Sequence, residues 1–163
     1  DLLHALAALM KYPKCIEGTE IESQLIEAML KECKKERALY KRHALQALGD
    51  ITASLSSDYF DKIYEILNEI FNKDDSDFES GDKDNGEKYN KYLMLETCYE
   101  TLSKSWPKKQ STQEKYCEEI VGGCVQRLRG STRQVQVAVM SSLCAIADKS
   151  KSLLKDGDHG QVT

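Results

Sequence analysis

Residues 42–51 read Arg-His-Ala-Leu-Gln-Ala-Leu-Gly-Asp-Ile, and this stretch decides the fold. Apolar residues recur in and just after it at helical spacing, as a single stripe of Ala44, Leu45, Leu48, Ile51 and Leu55. The same pattern occurs 39 residues upstream, where residues 4–9 match residues 43–48. Looser echoes follow at residues 95–98 and 139–146. A helix that recurs every ~40–50 residues favours a solenoid of stacked helical hairpins, a class that usually binds other macromolecules.

Length and composition agree with one helical module. The 163 residues suit one domain, and two prolines and nine glycines leave few breaks, which favours long helices. No apolar run approaches the roughly 18–20 residues that cross a bilayer, so we expect no membrane insertion. The sequence opens without Met inside an apolar stretch, so we expect residues 1–163 to be a single module cut from a longer protein.

Helix patterns occur in pairs along the chain. We predict a leading helix at 2–12 and then the pairs 19–33 with 36–56, 58–72 with 88–105, and 112–128 with 131–149. Capping boxes at 19–22, 111–114 and 131–134 mark helix starts, and Ser57 or Asp58 should cap the helix at 58–72. The helix at 19–33 should bury Ile21, Leu25, Met29 and Cys33. The predicted fold is all-α: an α-solenoid of about three hairpins plus one leading helix.

Periodicity is lost in residues 73–88, which we predict to be an acidic disordered loop inserted between the two helices of one hairpin. Its seven acids and three lysines give a charge of −4, which equals the net charge of the whole chain. Ser76 and Ser80 lie among these acids, and we hypothesise that an acidophilic kinase phosphorylates them. The alternative is a plain solubilising insert. Residues 156–163 read as a frayed tail.

Six cysteines occur, and no two form a Cys-x-x-Cys pair. Cys117 and Cys124 lie beside Ile120, Val121 and Leu128, where a helical stripe expects small apolar residues. A chain of this size does not need disulfide bridges, so we expect reduced, mostly buried cysteines in a cytosolic or nuclear protein.

No combination of residues supports catalysis. The three histidines are not at ligand spacing from a cysteine or from each other, and a pairing of His43 with Asp50 is less favoured than a solvated face. Residues 75–81 and 82–86 resemble calcium loops but have glycine at the wrong position and lack the closing glutamate. Gly122 and Gly123 fall within a helix, where we expect them to allow close helix approach. We therefore expect no enzymatic activity, no metal and no cofactor.

The basic stretch from Lys31 to Arg42 is the candidate for nucleic-acid binding. Glu32 and Glu36 interrupt it, the chain is net acidic, and Tyr40 alone offers stacking, so a solvated turn is the favoured interpretation.

A protein partner is expected instead on the outward face of the opening helix. Arg42, His43, Gln46 and Asp50 should point away from the Leu45/Leu48 stripe and form this face. Apolar faces around Leu2/Leu6/Leu9 and around Val137/Met140 make end-to-end self-association of the isolated fragment a risk.

Residues 42–51 resemble the second helix of a HEAT repeat, in which a basic residue precedes an Ala-Leu-x-Ala-Leu-Gly-x-Ile pattern. A HEAT-like arrangement covers most of the chain apart from residues 73–88. Residues 40–71 are also similar to the C-terminal part of the family of large proteasome-associated HEAT-repeat adaptor and scaffold proteins.

This resemblance implies a non-enzymatic scaffold that binds proteasome subunits, bridges regulatory and core particles and takes part in proteasome quality control. It also implies a cytoplasmic and nuclear location, with links to the membranes of the endoplasmic reticulum and endosomes. The alternatives are a segment of a nuclear transport receptor or of a phosphatase scaffold, which share the architecture, an independent enzyme, and an ordinary closed helical bundle.

Overall fold

The computed structural model describes residues 15–73 and 91–157, with side chains through residue 150. Six α-helices occupy these residues: α1 Glu20–Cys33, α2 Ala38–Ser54, α3 Phe60–Phe71, α4 Lys91–Lys104, α5 Gln110–Gly130 and α6 Arg133–Gly157. The described ranges contain no strand, and the all-α prediction is confirmed. Helix α6 continues past its predicted end near residue 149, into the predicted tail. The predicted leading helix, the acidic segment from residue 74 onward and the rest of the tail lie outside the described residues.

The helices form three hairpins, α1/α2, α3/α4 and α5/α6, which stack in chain order. The second helices make the closest layer, because α2 packs along α4 and α4 packs along α6. The first helices form the other layer, in which α1 touches α3 only lightly and α3 meets α5 through side chains such as Tyr64 and Glu119. A close layer of second helices beside a looser layer of first helices is the geometry of a helical solenoid.

The core follows the stripe of α2. Ala44, Leu45, Leu48, Ile51 and Leu55 are each at most 1% exposed, as predicted. Burying each of the larger side chains contributes roughly 1.5–3 kcal/mol relative to leaving it in water. An aromatic group extends the core toward α5: the Phe60 ring meets Trp106 and Tyr116 edge-on, at centroid distances of 5.5 and 5.2 Å. The core therefore runs continuously from the first hairpin to the third.

The predicted stripe of α1 is confirmed at Met29 and Cys33, which are both 0% exposed, but it is wrong at its first residue. Ile21 is 60% exposed, whereas Glu22 is 2% exposed. Glu22 is buried because its carboxylate accepts hydrogen bonds from the Gly18 amide at 2.6 Å and the Tyr59 hydroxyl at 2.9 Å. Burial acts to raise the pKa of Glu22, but these bonds together with one from Ser57 outweigh it and lower the pKa. Glu22 thereby ties the start of α1 to the segment that precedes α3.

The predicted helix caps are only partly present. The N-cap of α3 is Tyr59 rather than Ser57 or Asp58, although the Asp58 carboxylate accepts a hydrogen bond from the Phe60 amide at 3.1 Å. Thr19 makes no side-chain cap, since its hydroxyl donates to the carbonyl of Ile16 instead. Helix α5 begins at Gln110, ahead of the predicted box, and the buried Gln113 side chain donates to a carbonyl in the preceding turn. The Gln134 side chain of the last box reaches Glu96 on α4 at 2.7 Å rather than returning to its own helix start.

The cysteines divide into two sets. All six are free, with Cys33, Cys98 and Cys124 buried and Cys15, Cys117 and Cys144 exposed. Burial raises the pKa of Cys33 and of Cys98 to about 12, so both thiols are protonated at neutral pH. The expectation of burial was wrong for Cys117 and Cys144 because no described helix covers the outer faces of the last hairpin.

Candidate protein-binding surface

The exposed side of the stacked second helices is the candidate surface, and we call it the ridge. It comprises His43, Gln46, Asp50, Glu96, Glu100, Lys104, Arg133, Gln134 and Val137. Helices α2, α4 and α6 present these side chains in three successive rows because each helix packs directly on the next. Side chains mounted on packed helices are held more firmly than side chains on loops.

The four residues predicted to face a partner do not share one environment. Arg42 is half-buried, and its Nε donates to the hydroxyl of the buried Thr97 on α4 at 3.2 Å. Asp50 is exposed but accepts from Lys104 of α4 at 2.6 Å. Both side chains therefore bridge α2 to the next second helix. His43 is exposed and Gln46 is half-buried, so these two remain the freest of the predicted set.

Close packing of α2 on α4 depends on Gly49. A Cβ built on Gly49 would lie 3.3 Å from the Cα of Thr101, closer than side chains normally approach a backbone. At the same crossing the Thr101 hydroxyl donates to the carbonyl of Leu45 at 3.0 Å. The α4–α6 contact repeats this device, because the Ser142 hydroxyl donates to the carbonyl of Tyr99 at 2.9 Å. Buried hydroxyl-to-carbonyl bonds thus fix the spacing of successive second helices.

Lys104 is the electrostatic centre of the ridge. Its ammonium lies 2.6 Å from Asp50 and 2.8 Å from Glu100, so one cation joins two carboxylates on neighbouring helices. Partial burial acts to lower the pKa of Lys104, but the hydrogen bonds that it donates to Asp50 and Glu100 outweigh burial and raise the pKa. Lys104 therefore stays charged at neutral pH, and this part of the ridge has a net negative charge.

A shallow groove of about 580 Å³ runs along the ridge between α4 and α6. Glu96 and Glu100 line one wall, while Arg133 and Val137, the latter 59% exposed, line the other. The groove therefore offers two carboxylates and one guanidinium beside an apolar surface. The groove could not be predicted from the sequence, although Glu100 and Lys104 form a recognisable i,i+4 pair.

Part of the basic stretch at 31–42 is engaged in contacts within the chain, while its other cations are exposed. Lys35 lies 2.6 Å from Glu32 and 5.2 Å from the centre of the Tyr40 ring. Lys41 is half-buried, and desolvation lowers its pKa. Arg42 is bonded to Thr97 as described above. These contacts favour the solvated-turn interpretation over a nucleic-acid site.

The other sequence candidates add no chemistry to this surface. Among the described residues, no group of three or more His, Cys, Asp or Glu is placed to hold a metal ion. The calcium-loop-like runs and the phosphorylation candidates Ser76 and Ser80 lie outside these residues. The expectation that the runs bind no metal and the hypothesis that the serines are phosphorylated therefore stay predictions. In the same part of the chain, no helix has both the length and the apolar character needed to cross a membrane.

The stacked hairpins and the ridge together define a class: this is an armadillo- or HEAT-like helical-repeat segment, built to present an extended surface. The chain matches the family model described as "ECM29, C-terminal ARM-like repeats" over residues 15–161. It belongs to this family. The resemblance noted from residues 40–71 is thereby confirmed.

Two curated relatives extend the match over most of the chain. The chain is 33% identical over 156 residues to the "Proteasome-associated protein ECM29 homolog" of Drosophila melanogaster, covering 87% of this chain and 8% of that protein. It is 29% identical over 156 residues to the "Proteasome adapter and scaffold protein ECM29" of Homo sapiens, covering 89% of this chain and 8% of that protein. The chain thus spans about 8% of the length of these relatives. No solved structure matches it.

Proposed function

We propose that this chain is a protein-binding segment of a proteasome adaptor and that it acts as a scaffold without catalysis. Its membership of the ECM29 family carries the proposal, and the names of both relatives associate them with the proteasome. The family match favours this function over a nuclear transport receptor or a phosphatase scaffold, because those share only the architecture.

The ridge is the surface that we assign to this role. Its side chains are mounted on helices whose spacing is fixed by Gly49 and by the Thr101 and Ser142 hydrogen bonds. The exposed His43 and the ridge carboxylates lie on this fixed support. A rigid support loses little entropy when a partner binds, which favours a scaffold that engages a preformed protein surface.

The partner that we propose is a proteasome subunit with basic residues at the contact. The ridge holds three carboxylates, Glu96, Glu100 and Asp50, against the two cations Lys104 and Arg133, so a basic surface complements its net charge of −1. Binding of this kind would tether or stabilise proteasome particles and serve their quality control. We place it in the cytoplasm and nucleus, with a fraction at the periphery of the endoplasmic reticulum and endosomes.

The test immobilises the chain and passes purified proteasomes over it, with recovered peptidase activity as the readout. The variant His43→Ala/Gln46→Ala/Glu96→Ala should reduce recovery several-fold. The control variant Ser23→Ala/Gln24→Ala removes exposed polar side chains from α1, in the other layer, and should leave recovery unchanged. Equal recovery by both variants would remove the ridge from the proposal. Capture of Ran or phosphatase subunits in place of proteasomes would favour the alternative functions.

A further inference from the structure

The layer of first helices contains a feature that the ridge does not use: an open groove between α3 and α5. The two helices are bridged at both ends of the groove. The Tyr64 hydroxyl donates to Glu119 at 3.1 Å, and the Arg127 guanidinium donates to the carbonyl of Phe71 at 2.8 Å. Between these bridges lies a space of about 630 Å³, which we call the outer groove. Because α3 and α5 are bridged at both ends of the groove, the fold fixes the width of the outer groove.

The floor of the outer groove is apolar. Tyr99, Leu102, Ile120 and Cys124 line it, and each is at most 4% exposed. Burial raises the pKa of Cys124 to about 11, so its thiol is neutral and adds to the apolar surface. An apolar side chain that enters the groove would therefore meet an existing core rather than open water.

Gly122 and Gly123 form the low wall of the outer groove, and the packing of the chain does not require them. Both lie in the interior of α5, where glycine weakens a helix relative to alanine. We expected them to permit close helix approach, but a Cβ built on either one would meet nothing within 4 Å. Gly49 shows the contrast, because its Cβ would press against the backbone of α4. The glycine pair instead leaves the backbone of α5 bare beside the groove, where another backbone can approach closely.

The rim of the outer groove carries negative charge. Glu118 and Glu119 line the α5 side. The ion pairs between residues that the structure describes involve neither of these carboxylates. The one arginine of the lining, Arg127, lies at the far end, where it donates to the Phe71 carbonyl, so the two carboxylates exceed it by one charge. A ligand with cationic side chains would match this rim.

We propose that the outer groove docks a basic amphipathic α-helix of a partner protein. This helix would lie across Gly122 and Gly123, with an apolar side chain on the floor and its lysines or arginines toward Glu118 and Glu119. A helix fits because α3 and α5 run side by side, and a third helix packs into the space between two such neighbours. An apolar floor with charged edges is the pattern of helix-in-groove recognition. The site lies in the layer opposite the ridge and does not depend on the proposed proteasome contact.

The probe is a fluorescein-labelled amphipathic helical peptide built from leucine, alanine and lysine, whose binding to the chain is followed by fluorescence anisotropy. We expect saturable binding that weakens at least tenfold in Gly122→Leu/Gly123→Leu, because leucine side chains would fill the groove. Leucine is also a better helix former than glycine, so this variant should melt no lower than the parent chain, and a loss of binding cannot be attributed to unfolding. The control Ala28→Leu adds comparable bulk to the exposed face of α1 and should bind as the parent chain does.

Charge is tested with Glu118→Gln/Glu119→Gln, which should weaken binding several-fold. The amide oxygen that this change leaves at position 119 can still accept from Tyr64, so the bridge at that end of the groove is kept. In an NMR spectrum of the isotopically labelled chain, added peptide should shift the amide signals of Gly122 and Gly123. Equal binding by the parent chain and the leucine variant would overturn the proposal. Equal binding of a scrambled peptide of the same composition would also overturn it, since it would show attraction by charge alone.

Discussion

Replacing Gly49 by alanine tests whether α2 and α4 cross where the structure places them. The new Cβ would lie 3.3 Å from the Cα of Thr101 and 3.5 Å from the side chain of Lys104. Lys104 can move aside, but the Thr101 contact is with backbone, so α4 must shift and strain the Thr101–Leu45 hydrogen bond. Overpacking of this kind costs about 1–3 kcal/mol, and the gain in helix propensity returns about 1 kcal/mol. We therefore expect Gly49→Ala to lower the free energy of unfolding by about 0–2 kcal/mol.

Gly122→Ala is the matched control, because Gly122 also lies within a helix but faces open space. It should gain only the better helix propensity of alanine, about 1 kcal/mol, so the free energies of unfolding of the two variants should differ by about 1–3 kcal/mol. Urea unfolding followed by circular dichroism measures this difference. If Gly49→Ala stabilised the chain as much as Gly122→Ala does, the α2–α4 crossing described above would be wrong.

Stability, self-association and modification each provide one further test. Glu22→Gln should lower the free energy of unfolding by about 1–3 kcal/mol, because an amide nitrogen would replace one of the two oxygens that accept the part-buried hydrogen bonds from Gly18 and Tyr59. Folding lowers the pKa of Glu22, so the stabilisation by its carboxylate is present above the unfolded pKa near 4.5 and disappears as the pH falls through the folded pKa. Lowering the pH should therefore bring the stabilities of the parent chain and of Glu22→Gln together. The parent chain should self-associate as its concentration rises in sedimentation velocity, and Val137→Ser/Met140→Ser should suppress this association. A parent chain that stays monomeric would contradict the prediction. Peptide fragmentation mass spectrometry of the protein from cells should show phosphate on Ser76 and Ser80, and an unmodified segment would leave the solubilising insert as the explanation.

Elements with strong periodicity could be predicted from the sequence alone. The stripe of α2 repeats at helical spacing without interruption, so both the helix and its buried side could be predicted. The start of α1 was misassigned because Ile21 looks like a core residue, whereas Glu22 is buried through hydrogen bonds to Gly18 and Tyr59. Tyr59 lies 37 residues away, and a periodic pattern holds no information about such a partner.

The same limit explains the outcome at the candidate surface. Periodicity correctly separated Arg42 and Asp50 from the buried stripe, but it could not show that α4 packs along that flank and engages both of them. It also could not distinguish Gly49, which lies against a neighbouring backbone, from Gly122, which lies beside empty space. Both distinctions depend on where the next helix lies, and that is set by contacts between distant parts of the chain.

Site-specific photocrosslinking from the ridge tests the central claim most directly. A photoreactive amino acid replaces His43 in one chain and Gln24 on α1 in another, and each chain is irradiated with purified proteasomes. We predict adducts to proteasome subunits from position 43 and few or none from position 24. Absence of adducts from position 43, or equal adducts from both positions, would contradict the assignment of the ridge as the proteasome-binding surface.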